Sequence, residues 1–168
     1  ENMARGHGWR FLEIGRRIER ALVVFVLAGG AAKAAAKDDA VLTPLLEICD
    51  STMTYRRLHF AKPRIAPVLD LILLNDTNPR SAASQFEALR LQTQHLPVDP
   101  TSTMAGREKR FAAELHAALA SLNLDAYATN EVAAFVEVPA FCHALAEKTE
   151  ELSDLLTEHY FSHAMRET

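Results

Sequence analysis

The chain is poor in most features that betray a specific chemistry. Among 168 residues there are two cysteines, one tryptophan and six glycines, and the net charge is only −4. Cys49 and Cys142, both inside helical patterns, do not make a disulfide scaffold, so a reducing cytoplasm is the natural setting. Positive and negative residues are well mixed, without the strongly basic face that general nucleic-acid binding favours. No apolar run approaches the ~20 residues that cross a bilayer. Residues 16–37 imitate a secretory signal, with a basic start, an apolar run over 21–28 and then Ala32-Lys33-Ala34. That segment is internal and its run is short, so it reads as a buried helix.

Catalytic signatures are scarce too. There is no Gly-x-x-x-x-Gly-Lys-Ser/Thr loop, no Gly-x-Gly-x-x-Gly after a strand and no nucleophile elbow. Gly6-His7-Gly8 is unsupported as a phosphate loop. His159 and His163 stand one helical turn apart, but no third ligand or metalloprotease glutamate accompanies them. The Glu-x-x-His repeats of di-iron bundles are also missing. No metal and no cofactor are expected.

What remains is helical periodicity. The chain reads as one domain, or a large piece of one, spanning 1–168: an all-α bundle of six or seven helices with no sheet. Because it begins at Glu1 rather than methionine, it is expected to be a segment of something longer. The pattern predicts a first helix over 3–27, stopped by Gly29-Gly30, and an alanine-rich connector over 33–39. A second helix over 42–60 carries Leu42, Leu45, Leu46, Cys49, Met53 and Phe60 on one face. A third over 65–75 is apolar almost all round, the mark of a central buried element. Asn78-Pro79 predicts an N-cap and first turn for a fourth helix bearing Ala82, Phe86, Leu89, Thr93 and Leu96. Ser102 or Thr103 caps a fifth, with Phe111, Leu115, Leu119 and Leu122. Asn130 caps the last, which Pro139 kinks or divides.

The first helix is the most informative. At about 100° per residue, Phe11, Gly15, Ile18, Leu22 and Val26 share an apolar stripe, whereas Arg5, Trp9, Arg16 and Arg20 gather on another side. Glu19 falls between the stripes, where a half-buried carboxylate needs an arginine or other donors. Two charges break the apolar pattern farther on: Arg56 in the second helix and Asp70 in the third. A buried arginine cannot shed its charge, so Arg56 is expected to pair with Asp70 or Glu19. Arg80 and Ser81 fall in a helical first turn that favours anions, and Gln85 extends that polar edge. The arginine cluster is either a solvated basic face with ordinary neighbour pairs or an anion site, because guanidinium forks match carboxylate and phosphate in two-point contacts.

The run Gly-Trp-Arg-Phe-Leu-x-x-Gly-Arg-Arg-x-Glu-Arg-Ala over 8–21 resembles the signature of the bacterial alpha-E domain family, named for helical content and a Glu-Arg motif. Cys49-Asp50-Ser51-Thr52-Met53-Thr54-Tyr55-Arg56-Arg57 is similar to a second family segment. Val68-Leu69-Asp70-Leu71, followed by Asn78-Pro79-Arg80-Ser81 and Gln85, is similar to a third. The resemblance spans nearly all of the chain, which in turn spans roughly the C-terminal half of a family member. It implies an all-helical fold and a setting beside, or fused to, circularly permuted ATP-grasp proteins, often near transglutaminase-like proteins. The expected role is an accessory, anion- or peptide-binding partner of an ATP-grasp-type peptide ligase system. Two alternatives stand beside it. One is an enzyme with an inter-helix site using Glu19, Asp70, Arg16, Arg56 and Arg80; the other is a structural interaction module. A concave polar cleft lined by these residues speaks for a ligand site, and convergence of Arg5, Trp9, Arg16, Arg20 and Arg80 on it for an anion.

Overall fold

The structure, a computed structural model, describes residues 6–97 and 106–161. Its regular elements are α1 (His7–Ala35), a 3-10 turn (Asp39–Val41), α2 (Leu42–Ile48), α3 (Thr52–His59) and α4 (Ile65–Leu69), which runs into a π turn (Asp70–Leu74). Then follow α5 (Ala82–Gln94), α6 (Arg107–Ala120), α7 (Asp125–Thr129) and α8 (Glu131–Phe161). There is no strand among the described residues, and the all-α class read from periodicity holds.

Four long helices form a ring, in which α1 packs on α8 and α5, and α6 closes the circle between α5 and α8. Their directions follow from pair contacts. Phe11 near the start of α1 meets Tyr160 and Phe161 at the end of α8, each at 5.0 Å between ring centroids, while Gly29 lies against Pro139. Likewise Arg10 reaches Gln92 at 3.2 Å, and Phe25 lies 5.5 Å from Phe86. Both α5 and α8 therefore run antiparallel to α1. Glu108 at the start of α6 is buried beneath Tyr160, whose hydroxyl donates to it at 3.3 Å, with His159 Nδ1 at 3.7 Å. The short elements α2, α4 and α7 gather at the opposite end. There the expected central segment is buried, with Val68, Leu69, Ile72 and Leu73 all at 0% exposure. The residues read as the inner face of α5 (Ala82, Phe86, Leu89, Thr93, Leu96) are likewise buried.

Several expectations give way to tertiary packing. Gly29-Gly30 does not end α1, which continues to Ala35. A Cβ at Gly29 would lie 3.4 Å from the Cβ of Cys142 and 3.5 Å from the Cα of Pro139, so α8 packs against this position with room for a methyl group and little more. Opposite it, α8 runs through Pro139 as one element rather than two. The core face of α1 is rotated from the expected stripe: Ile14, Ala21, Phe25, Ala28 and Ala32 are buried with Ile18, whereas Gly15 and Val26 are exposed. Alanines become core residues when helices pack closely, which a stripe drawn through large side chains misses.

The expected second helix is two. Asp50 adopts φ 49°, in the left-handed region, and the chain turns at residues 49–51 between α2 and α3. Leu42, Leu45, Leu46 and Cys49 are buried as expected, but after the turn Met53 and Phe60 point outward at 75% and 89% exposure. The cap of α5 is Ser81, not Asn78: its hydroxyl accepts from the Ser84 N–H at 3.0 Å. Asn130 Oδ1 accepts from the Ala133 N–H at 3.4 Å at the start of α8, in the expected capping sense. The Ser102 and Thr103 caps and His163 lie outside the described residues.

Candidate functional site

The charges on α1 divide into a satisfied set and an open set. Glu13 stands one turn before Arg16 and Arg17, the spacing at which helix side chains meet, and binds them at 2.9 and 3.1 Å. Burial of Glu13 opposes its ionisation, but hydrogen bonds and charge from Arg16 and Arg17 prevail and hold its carboxyl below the ordinary value. Arg17 also donates to Gln85 Oε1 at 3.2 Å, and Gln85 Nε2 donates to the Pro79 carbonyl at 2.7 Å and the Ser81 carbonyl at 3.3 Å. Arg16, Arg17, Glu13 and Gln85 thus fasten α1 to the start of α5.

The 78–81 turn is tied just as fully. Asn78, 4% exposed, donates through Nδ2 to Ser51 Oγ at 3.1 Å and to the Leu71 carbonyl at 2.9 Å, while its Oδ1 accepts from the Arg80 N–H at 3.1 Å. Ser81 Oγ donates to the Asn75 carbonyl at 2.6 Å. Ser51 in turn donates to the Cys49 carbonyl at 2.9 Å. The 49–51 turn is joined here to the 71–81 segment through buried hydroxyl and amide groups.

Where α1 passes the 49–51 turn and the 78–81 turn, a cleft of about 310 Å³ opens. Glu19, Arg20, Asp50, Arg80 and the buried Gln85 line it together with apolar Val23, Leu27 and Ile48. Arg80 Nη2 meets Asp50 Oδ2 at 3.0 Å, both side chains being more than half exposed. Glu19 is exposed rather than half-buried, and Arg20 is exposed beside it. Among the described residues neither side chain has a hydrogen-bond or ion-pair partner.

The remaining predicted positions lie elsewhere. Trp9 and Arg16 are nearer the start of α1 and do not line this cleft; Arg5 lies outside the described residues. Arg56 is exposed on α3, and among the described residues it pairs with neither Asp70 nor Glu19. The expected buried pair does not form, because the break at residues 49–51 turns α3 and carries Arg56 to the surface. Asp70 is exposed as well. Neighbouring chain still desolvates its carboxyl and holds it above the ordinary value, with His59 opposing and Asp125 adding to the effect. The five residues of an inter-helix enzyme site are therefore not brought together. Asp50, Ser51 and Arg17 lie in the segments that carry the family resemblance, and Glu13 is spaced to pair with two arginines, but none of the four is among the predicted site residues. A larger groove of about 780 Å³ between α6 and α8 contains none of the predicted site residues.

Residues 1–161 match the Alpha-E family, described as "a predicted alpha-helical domain with a conserved ER motif". The chain belongs to the Alpha-E family. Glu19-Arg20 is the only Glu-Arg dipeptide in the sequence, so the family's motif falls on the two open residues of the cleft. This Alpha-E chain is also similar to an uncharacterized protein of Mycobacterium bovis and to two of Mycobacterium tuberculosis strains. Each is 33% identical over 122 residues, covering 71% of the chain and 14% of the relative. The chain thus spans only a small part of the curated relatives' length. No solved structure matches. Among the described residues, no helix of this Alpha-E domain is long and apolar enough to cross a membrane.

Proposed function

We propose that this Alpha-E domain is an accessory module of an ATP-grasp-type peptide ligase system, working in the cytoplasm, and that its Glu19/Arg20 cleft receives an anionic group of a peptide or of the partner enzyme. One observation carries the reading. Glu19 and Arg20 form the motif for which the family is described, yet they are exposed and pair with none of the described residues, unlike Glu13, Arg17 and Gln85 beside them. A motif left open among the described residues is available to something outside. The resemblance to domains encoded beside or fused to circularly permuted ATP-grasp proteins supplies the partner, with transglutaminase-like proteins as a further associate. Relatives of which the match covers 14% are long enough to carry such a partner in the same chain.

Arginine suits this task because its planar fork holds a carboxylate at two points, which a lysine ammonium does not. The test is co-purification of the domain with an ATP-grasp enzyme encoded beside it, followed by ATP turnover with and without the domain. Retention of the enzyme and a change in turnover are expected for the wild type, with both weakened in Arg20→Lys despite the unchanged charge. Absence of retention and an unaltered turnover would overturn the proposal.

A further inference from the structure

The cleft is bipolar rather than basic. Its rim carries two carboxylates, Glu19 and Asp50, and two guanidinium groups, Arg20 and Arg80, around an apolar lining that includes Val23 and Ile48. Arg80 and Asp50 meet through one contact at 3.0 Å, which leaves most of the arginine's five donors unused. Glu19 and Arg20 have no partner among the described residues. Formal charge at the rim sums to zero, so a phosphate or sulfate gains attraction from the arginines and meets repulsion from the carboxylates. A molecule carrying one group of each sign can set each against the opposite charge, so that attraction outweighs repulsion. At about 310 Å³ the cleft stands at the small end of ligand sites, which run from about 300 to 1,000 Å³.

The geometry points to a free, zwitterionic dipeptide with an apolar side chain as the ligand: Arg20 and Arg80 take its carboxylate, Glu19 its ammonium, and the Val23/Ile48 lining its side chain. Asp50 has a second role in this arrangement. It holds Arg80 by a single point and leaves the guanidinium's remaining donors to an incoming carboxylate. Asp50 occupies the left-handed region at φ 49° as the residue past the end of α2, where its N–H donates to the Glu47 carbonyl at 3.0 Å and the Ser51 N–H to the Leu46 carbonyl at 2.8 Å, a helix stop that fixes the backbone bearing its carboxylate. This assignment rests on the proposed peptide-ligase setting only for its biological context. The charge pattern stands by itself.

Calorimetric titration of the intact domain with L-leucyl-L-leucine, N-acetyl-leucyl-leucine, leucyl-leucine amide and inorganic phosphate tests it. The free dipeptide is expected to bind, and blocking either terminus to weaken binding at least about tenfold, the scale of one charge-assisted hydrogen bond. Phosphate should compete poorly. In Glu19→Gln the free and N-acetylated peptides should bind alike, and in Arg20→Lys the free peptide and its amide should differ less. Both residues are exposed, so unchanged thermal unfolding should accompany these losses. Equal binding of the acetylated and free peptides to the wild type, tighter binding of phosphate, or no binding of the dipeptide would overturn the assignment. If co-purification with the ATP-grasp enzyme succeeds while the dipeptide fails, this inference falls and the accessory role stands. Dipeptide binding without any enzyme partner gives the reverse result.

Discussion

Replacing Asn78 tests whether the 78–81 turn is a helix cap or a buried junction. In the structure Asn78 supplies two hydrogens to buried oxygens, Leu71 O at 2.9 Å and Ser51 Oγ at 3.1 Å. Asn78→Ala leaves both without that donor. A buried polar group stranded in this way costs about 1–3 kcal/mol. The Leu71 carbonyl falls near the middle of that range. Ser51 falls near the bottom, because its hydroxyl still donates to the Cys49 carbonyl. The expected loss is therefore about 3 kcal/mol. Asn78→Asp is the sharper variant. It keeps the oxygen that accepts from the Arg80 N–H but sets a carboxylate against two oxygens, so it should cost at least as much as alanine. A residue acting only as an N-cap behaves differently, since aspartate caps as well as asparagine and alanine costs about 1 kcal/mol. Urea denaturation separates the cases: with m of about 1–3 kcal/mol/M, a 3 kcal/mol loss lowers the midpoint by about 1–3 M. A wild-type midpoint for Asn78→Asp would refute the junction.

Other perturbations follow from the same geometry. Asp70→Asn should be neutral or stabilising at pH 7 by a few tenths of a kcal/mol, about the scale of surface changes. The Asp70 carboxyl is held above its ordinary 3.8, so its unfavourable ionisation sets in as pH rises through the folded value; a loss of several kcal/mol on urea denaturation would contradict this. Glu13 has the opposite sign. Its carboxyl lies below the ordinary 4.5, so its contribution is present above that value and fades as pH falls through the lowered one. Glu13→Gln should be less stable at neutral pH and should lose less stability on acidification, as measured by thermal unfolding from pH 6 to pH 2. Gly30→Ala, with open space at its Cβ, should gain up to about 1 kcal/mol in helix propensity. Gly29→Ile meets Cys142 and Pro139 and should lose about 1–3 kcal/mol by overpacking; equal melting temperatures for the two would count against the close α1–α8 approach.

The sequence by itself determined the fold class, the buried central segment, the inner face of α5 and the place of the Glu-Arg motif on α1, since each follows from local periodicity or short-range chemistry. Repeats of apolar residues at helical spacing need no partner to be read. Decisions that depend on a neighbour were not legible. Gly29-Gly30 has the composition of a helix stop, but α8 packs against Gly29 and the helix continues to Ala35. Asn78 has the composition of a cap, yet its amide is spent on Ser51 and Leu71, which other segments bring to it. Arg56 and Asp70 looked like buried partners because a continuous second helix was assumed. The left-handed turn at Asp50 divides that helix and carries Arg56 to solvent, and Asp70 is exposed on its own element. The cleft was half visible: Glu19, Arg20 and Arg80 were marked by residue type, but Asp50 joined them only when three segments met. An ordinary surface carboxylate carries no sign in its own neighbourhood that an arginine thirty residues away will reach it. Only the tertiary structure decides which charges satisfy one another and which are left open.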